Sequence, residues 1–339
     1  MTAPAPQRLD EITSSINDDL VQVERVLREG VRSVAPLIPE MGEHTFAGGG
    51  KRIRPALVLL SARLCGYRGP RAIQVAAAAE HLHSATLIHD DVVDGAGLRR
   101  GRPTVGARFG SRLAILAGDF LYAVSSQMFV DDGNADILSI FADSIRKMAE
   151  GEVLQLSRSF DPDVSESVYM DVIGRKTATL IAACAEAGAI LGGVTRSERR
   201  ALRDYGWELG MAFQLVDDAL DYSSTGQELG KAPLADAAEG KVTLPLIVAL
   251  KRCSVAERET VVSALKGFSE AEASVDDPAR QRELAHIAEC VSRNHGVEFA
   301  LERARACTRS ARARVEPFLD CDARRDLLAL ADFVVQRRN

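Results

Sequence analysis

Two acidic blocks, Asp90-Asp91-Val92-Val93-Asp94 and, far downstream, Asp217-Asp218-Ala219-Leu220-Asp221, each set three carboxylates within five residues. Each block ends an apolar run with helical spacing, so its first and last aspartates share one helical face with the middle one beside them. Three carboxylates in one turn repel one another unless cations neutralise them. Hard oxygen donors of this kind suit Mg2+, which completes its shell with water and substrate phosphates. A single block could be a solvated helix end. Two blocks, each beside cationic residues, point instead to metal-held anions.

The cations are placed to meet phosphate. Gly49-Gly50-Lys51-Arg52-Ile53-Arg54-Pro55 brings three of them to a helix start, where backbone amides and the helix dipole also favour an anion; the alternative is a glycine turn with solvated charges. It is not a P-loop, because Arg52 rather than Ser or Thr follows Lys51 and no strand precedes it. Gly95-Ala96-Gly97-Leu98-Arg99-Arg100-Gly101 misses the dinucleotide-binding spacing. Its Arg99 and Arg100 follow Asp94 closely, and guanidinium forks there suit a diphosphate held at the first block. Lys176 and Thr177 fall inside a helical run, while Lys231 and Lys241 each follow a glycine.

His81, His83 and His89 spread around a helix without an HExxH pattern, which argues against a zinc triad. His83 lies almost two turns before Asp90 on the same face; it is either a donor to a second anion or a core or capping histidine. No spacing suggests a Ser/His/Asp or Cys/His combination, and none is needed. A metal-held diphosphate is a good leaving group, so the chemistry implied is ionisation of an activated substrate in a dry pocket.

The elements that position these residues are helices. Apolar residues recur at three- and four-residue spacing through almost the whole chain, without sustained strand-type alternation, so the fold class is all-α. The pattern predicts helices at roughly 8–30, 51–66, 70–94, 111–130, 134–158, 165–191, 195–222, 242–253, 255–267, 279–293, 295–314 and 321–336. Two polar insertions, Gly95–Thr104 and Ser223–Lys241, each follow an acidic block and read as flaps over a cavity mouth. No linker divides the 339 residues, which predicts a single helical domain with about residues 1–8 flexible.

A net charge of -6 excludes a global basic field for nucleic acid. The six scattered cysteines, with no CxxC pair, read as reduced packing residues of a cytoplasmic protein. The N-terminus lacks the charge and apolar pattern of a signal or transit peptide, and the most apolar stretch, Thr179–Gly193, is too short to span a bilayer.

These residues resemble, over essentially the full chain, the trans-isoprenyl diphosphate synthases. The matching stretches are GGGKRIRP (48–55), HSATLIHDDVVD (83–94), LRRGRPT (98–104), GDFLY (118–122), GEVLQL (151–156), GRKTATL (174–180), FQLVDDALDY (213–222), GK (230–231) and EGKVTLPL (239–246). The resemblance implies the all-α isoprenoid synthase fold, with helices around a deep central cavity, and a homodimer. It implies a Mg2+-dependent prenyltransferase that condenses an allylic diphosphate with isopentenyl diphosphate. Asp90, Asp94 and Asp217 would ligate three Mg2+ ions bridging the allylic diphosphate, with Asp91, Asp218 and Asp221 completing the clusters. Arg99, Lys176, Lys231 and Lys241 would hold that diphosphate, and Thr177 and Gln214 would line the path of the allylic cation. Lys51, Arg54, His83 and Arg100 would hold isopentenyl diphosphate. The chain departs from many relatives in lacking a glycine near Leu234.

Product length follows from Ala85 and Thr86, one turn or so before Asp90 along the wall where the growing chain would run. Both are small where short-chain relatives carry bulky aromatics, so the expected product is of the octaprenyl to decaprenyl class used for quinone side chains. The alternatives are a geranylgeranyl or other shorter-chain synthase and, outside catalysis, the regulatory subunit of a heteromeric synthase, which would lack the acidic blocks. At most a peripheral membrane contact is expected, for product release.

Overall fold

In a computed structural model the described residues are 8–48, 50–223, 234–270 and 277–336. The expected flexible N-terminus therefore lies, apart from Arg8, outside them. The helices fall within a few residues of their predicted bounds, among them Ile53–Leu64, Arg71–Val93, Ser111–Asp132, Ala135–Leu156 and Arg196–Ser223. The chain packs as two compact units, one of residues 1–144, 180–207 and 311–333, the other of 145–179, 208–310 and 334–339. Each gathers separate chain segments, and the boundaries fall inside continuous helices such as Arg196–Ser223. No composition break could mark them.

The first unit is organised by Arg71–Val93, which packs against Asn17–Gly30, Ile53–Leu64 and Ser111–Asp132. Its Ala76, Ala77, Ala78 and Ala79 are fully buried, so the middle of this helix is covered on all sides, as a core segment must be. Gly188 permits another close approach, since a Cβ there would lie 2.6 Å from the Ala62 backbone nitrogen.

Three elements of this unit escape the sequence pattern. Leu37–Ala47 is helical despite Pro39 and Gly42; Pro39 falls in the first turn, where its missing N–H has no intrahelical partner to lose. Gly42 faces Val31 so closely that a Cβ would lie 2.7 Å from it. The predicted 8–30 helix breaks at a 3-10 turn, Ser14–Ile16, before Asn17–Gly30. The segment after the first acidic block is not an irregular flap but a tight antiparallel hairpin, Leu98–Arg99 against Arg102–Pro103. Its turn residues, Arg100 and Gly101, have φ of 52° and 72°, the left-handed pair that a two-residue hairpin turn requires.

In the second unit, Leu244–Arg252 carries seven consecutive buried residues, Leu244 to Leu250, and packs on Glu166–Ile173 and Pro278–Arg293. The predicted 165–191 helix contains a π-helical turn, Gly174–Ala178. Gly151 and Gly210 press against that turn: a Cβ at either would lie 2.9 Å from the Lys176 nitrogen or 2.6 Å from the Ala178 Cα. Single π turns of this kind re-aim side chains and recur at functional sites.

Candidate active site

Both acidic blocks occupy helix C-termini, at the end of Arg71–Val93 and in the last turns of Arg196–Ser223, and neither helix has a basic residue in its last turn. The helix dipole is negative there, so carboxylates in that position are destabilising without a bound cation. The structure also separates the six aspartates into two kinds. Asp90, Asp94 and Asp217 are partly exposed, whereas Asp91, Asp218 and Asp221 are buried.

The buried three are held by the protein. Arg99 reaches Asp91 Oδ1 through Nε at 2.8 Å and Nη2 at 2.7 Å. The Tyr169 hydroxyl donates to Asp218 Oδ2 at 2.6 Å and Gln214 Nε2 donates to its Oδ1 at 2.7 Å. Asp221 Oδ2 accepts the backbone N–H of Asp236 at 3.2 Å. Burial pushes the Asp218 carboxyl up to about 8, with Asp236 adding to the effect and the bonds from Tyr169 and Gln214 opposing it.

In the first unit the cations gather around His83. Burial lowers its pKa well below the ordinary value, and Arg54, Arg100, Arg99 and Arg52 push it further in that direction, so the ring is neutral and keeps one N–H to donate. Lys51 is exposed just before Ile53–Leu64. Arg52 departs from the expected cationic trio: it turns inward, 2.5 Å from Glu24 and 2.7 Å from Glu80, and is 16% exposed. Its φ of 46° is left-handed, and it is the residue at which the chain turns into Ile53–Leu64.

The hairpin bearing Arg99 and Arg100 is clamped from outside. His44 Nε2 donates to the Pro103 carbonyl at 2.8 Å, while its Nδ1 accepts from Arg108 at 3.1 Å and Arg108 pairs with Glu40. Thr104 bridges the hairpin base, donating to the Ala96 carbonyl and accepting from Ala107 N. Leu37–Ala47, the helix that the sequence pattern hides, is thus what steadies the arginine turn.

The second unit contains a cavity of about 130 Å3 lined by Tyr169, Lys176, Thr177, Gln214, Asp218 and Lys241, among others. The Thr177 hydroxyl donates to Gln214 Oε1 at 2.8 Å, so one chain of hydrogen bonds joins Thr177, Gln214, Asp218 and Tyr169. Lys176, its neighbour on the π turn, pairs with Glu152 at 2.5 Å and Gln155 at 3.1 Å. Lys241 pairs with Glu239 at 2.7 Å. Glu152 and Gln155 belong to GEVLQL, a stretch whose role spacing does not reveal. Tyr169 and Asp236 carry no sequence signal of their own, because only folding brings them to Asp218 and Asp221. Lys231 lies outside the described residues.

Leu234 begins the short Ala235–Ala238 helix with a φ of 61°. That is the left-handed conformation a glycine adopts without cost and a leucine does not. The three histidines do not form a metal triad. His81 is fully buried against Phe46, its pKa pushed down to about 4 by burial and by Arg52, and His89 bonds the Ile115 carbonyl.

Among the described residues no three His, Cys, Asp or Glu side chains are gathered closely enough to form a complete metal cage. The donor set nonetheless fits Mg2+, which takes one or two carboxylates and obtains its remaining ligands from water and substrate phosphates. The partly exposed Asp90, Asp94 and Asp217 would supply such carboxylates, each on a helix end where a cation is electrostatically favoured.

A family model described as polyprenyl synthetase matches residues 35–281. The chain is 37% identical over 331 residues to octaprenyl diphosphate synthase of Escherichia coli, covering 98% of each. It is similar to the structure of a polyprenyl synthase from Caulobacter crescentus CB15 complexed with calcium and isoprenyl diphosphate (TM-score 0.92, 38% identity, 99% of this chain and 100% of that one). It is similar also to a decaprenyl diphosphate synthase from Rhodobacter capsulatus (TM-score 0.90, 38% identity, 98% of this chain and 100% of that one).

Proposed function

The chain belongs to the polyprenyl synthetase family, and from that premise we propose that it is a Mg2+-dependent trans-prenyltransferase making long-chain polyprenyl diphosphates of the octaprenyl to decaprenyl class. It has the all-α isoprenoid synthase fold of its structural relatives. The observation that carries the reading is the end-to-end match to an octaprenyl diphosphate synthase, joined to two acidic helix ends with cations beside them. The intact acidic blocks disfavour a regulatory subunit.

Asp90, Asp94 and Asp217 would hold Mg2+, three ions in the full complex, while Asp91, Asp218 and Asp221 fix the surroundings of the ligands. Bound Mg2+ would neutralise charge on the departing diphosphate. Arg99, Lys176, Lys231 and Lys241 bind the allylic diphosphate. Arg99, Lys176 and Lys241 rest on Asp91, Glu152 and Glu239, and a diphosphate with more charge than one carboxylate competes for them. Lys51, Arg54, Arg100 and neutral His83 bind isopentenyl diphosphate.

The allylic C–O bond breaks, the double bond of isopentenyl diphosphate forms the new C–C bond, and a proton leaves to the released pyrophosphate. Thr177 and Gln214, locked to each other and to Asp218, present fixed dipoles to the developing cation. The chain's contribution is placement and electrostatics.

A homodimer working in the cytoplasm completes the proposal. Ser111–Asp132 is the one helix among the described residues long and apolar enough to cross a membrane. Its Ile115, Leu116, Tyr122 and Val130 are exposed, a surface that suits a second copy. Sedimentation is expected to give twice the chain mass of 36.6 kDa; a monomer at micromolar concentration would contradict it.

The function is tested by incubating the purified chain with isopentenyl diphosphate, an allylic primer and Mg2+. Pyrophosphate is expected to appear only with both substrates, and EDTA to stop it. Undiminished release without a divalent metal would overturn the metal assignment.

A further inference from the structure

We propose that Tyr169, through its hydroxyl, is a positioning residue for the second acidic block. The proposal rests on the reading of that block as a magnesium site. Tyr169 stands on Glu166–Ile173 and is 5% exposed; its O–H donates to Asp218 Oδ2 at 2.6 Å. The other carboxylate oxygen takes the Gln214 amide at 2.7 Å. With a donor on each oxygen, the Asp218 carboxylate is fixed in plane and in rotation beside Asp217.

The same bond has a second consequence. Because Gln214 Nε2 is engaged by Asp218, its Oε1 is the atom left to face the Thr177 hydroxyl at 2.8 Å. Tyr169 thus sets the direction of a hydrogen-bond chain that ends on the π turn carrying Lys176 and Thr177. Loss of the hydroxyl frees one oxygen of a buried carboxylate, which can then rotate, and the orientation of Gln214 loosens with it. Buried carboxylates are held this firmly where their direction matters, and outer partners of ligating groups are worth 10–100-fold in metal affinity or activity.

The experiment uses the full chain and its Tyr169→Phe and Asp217→Ala variants, titrated with Mn2+ in the presence of inorganic pyrophosphate and followed by electron paramagnetic resonance. Tyr169→Phe keeps the ring that fills the site and removes only the donor. It is expected to weaken Mn2+ binding about 10–100-fold with the helical circular dichroism unchanged. Binding equal to the parent's, with or without a lower thermal midpoint, would make Tyr169 merely structural and overturn the proposal. If Asp217→Ala binds Mn2+ as the parent does, the magnesium reading itself fails, an outcome distinct from failure of Tyr169→Phe alone. Should Tyr169→Phe lose its helical signal, the double variant Tyr169→Phe/Asp218→Asn replaces the buried carboxyl left with a single donor by an amide. It is expected to fold and still bind Mn2+ more weakly than Asp218→Asn alone; equal binding would refute the role.

Discussion

Asp217→Ala is expected to slow prenyl transfer about a thousandfold or more while leaving the helical content intact, and Asp90→Ala to do the same. Loss of a metal ligand removes several kcal/mol of charge stabilisation from the transition state, and each 1.36 kcal/mol is a factor of ten in rate. Neither carboxylate is buried. Each sits at the negative end of a helix dipole, beside the buried Asp91 or Asp218, so without metal its removal relieves repulsion. Turnover and circular dichroism measured side by side decide the matter. A parallel loss of both would give these aspartates a structural role and remove the basis for treating the partly exposed carboxylates as ligands.

Ala85→Phe is expected to convert a long-chain synthase into a short-chain one, with the first condensation largely retained. Ala85 stands five residues before Asp90 on Arg71–Val93, about 7.5 Å along the helix at 1.5 Å per residue. On the proposed path of the product along this helix, a ring there would block its tail without touching the metal chemistry. Thr86, next to it, bonds its hydroxyl to the His83 carbonyl of its own helix, leaving no polar group that demands space. Ala85 is 2% exposed, so the ring also costs about 1–3 kcal/mol of overpacking, and the thermal midpoint is expected to fall. Products of farnesyl to geranylgeranyl length are the predicted outcome. An unchanged distribution in a folded variant would show that the product does not pass Ala85.

The long helices were legible because their apolar spacing is a local property of the chain. Leu37–Ala47 was hidden because Pro39 and Gly42 read as breakers, although one sits in a first turn and the other against Val31. The hairpin at Leu98–Pro103 is too short for strand alternation, and its turn rests on an arginine in the left-handed region rather than on an Asn-Gly pair. Motif spacing found both acidic blocks, but spacing treats Asp90 and Asp91 alike, whereas burial separates them. Arg52 shows the same limit: among three adjacent cations, only the presence of Glu24 and Glu80 distinguishes the one that belongs to the core. Tyr169 was invisible because it reaches Asp218 from a distant helix. At Leu234 nothing in the residue type announces the left-handed φ of 61° that the backbone adopts.

The chain length of the product tests the proposed function most sharply. Purified protein, isopentenyl diphosphate in excess, an allylic primer and Mg2+ are incubated, and the dephosphorylated products are resolved by reversed-phase chromatography against all-trans standards. A ladder of intermediates ending in the octaprenyl to decaprenyl range is expected. A distribution that stops at farnesyl or geranylgeranyl length, or no elongation at all, would contradict it.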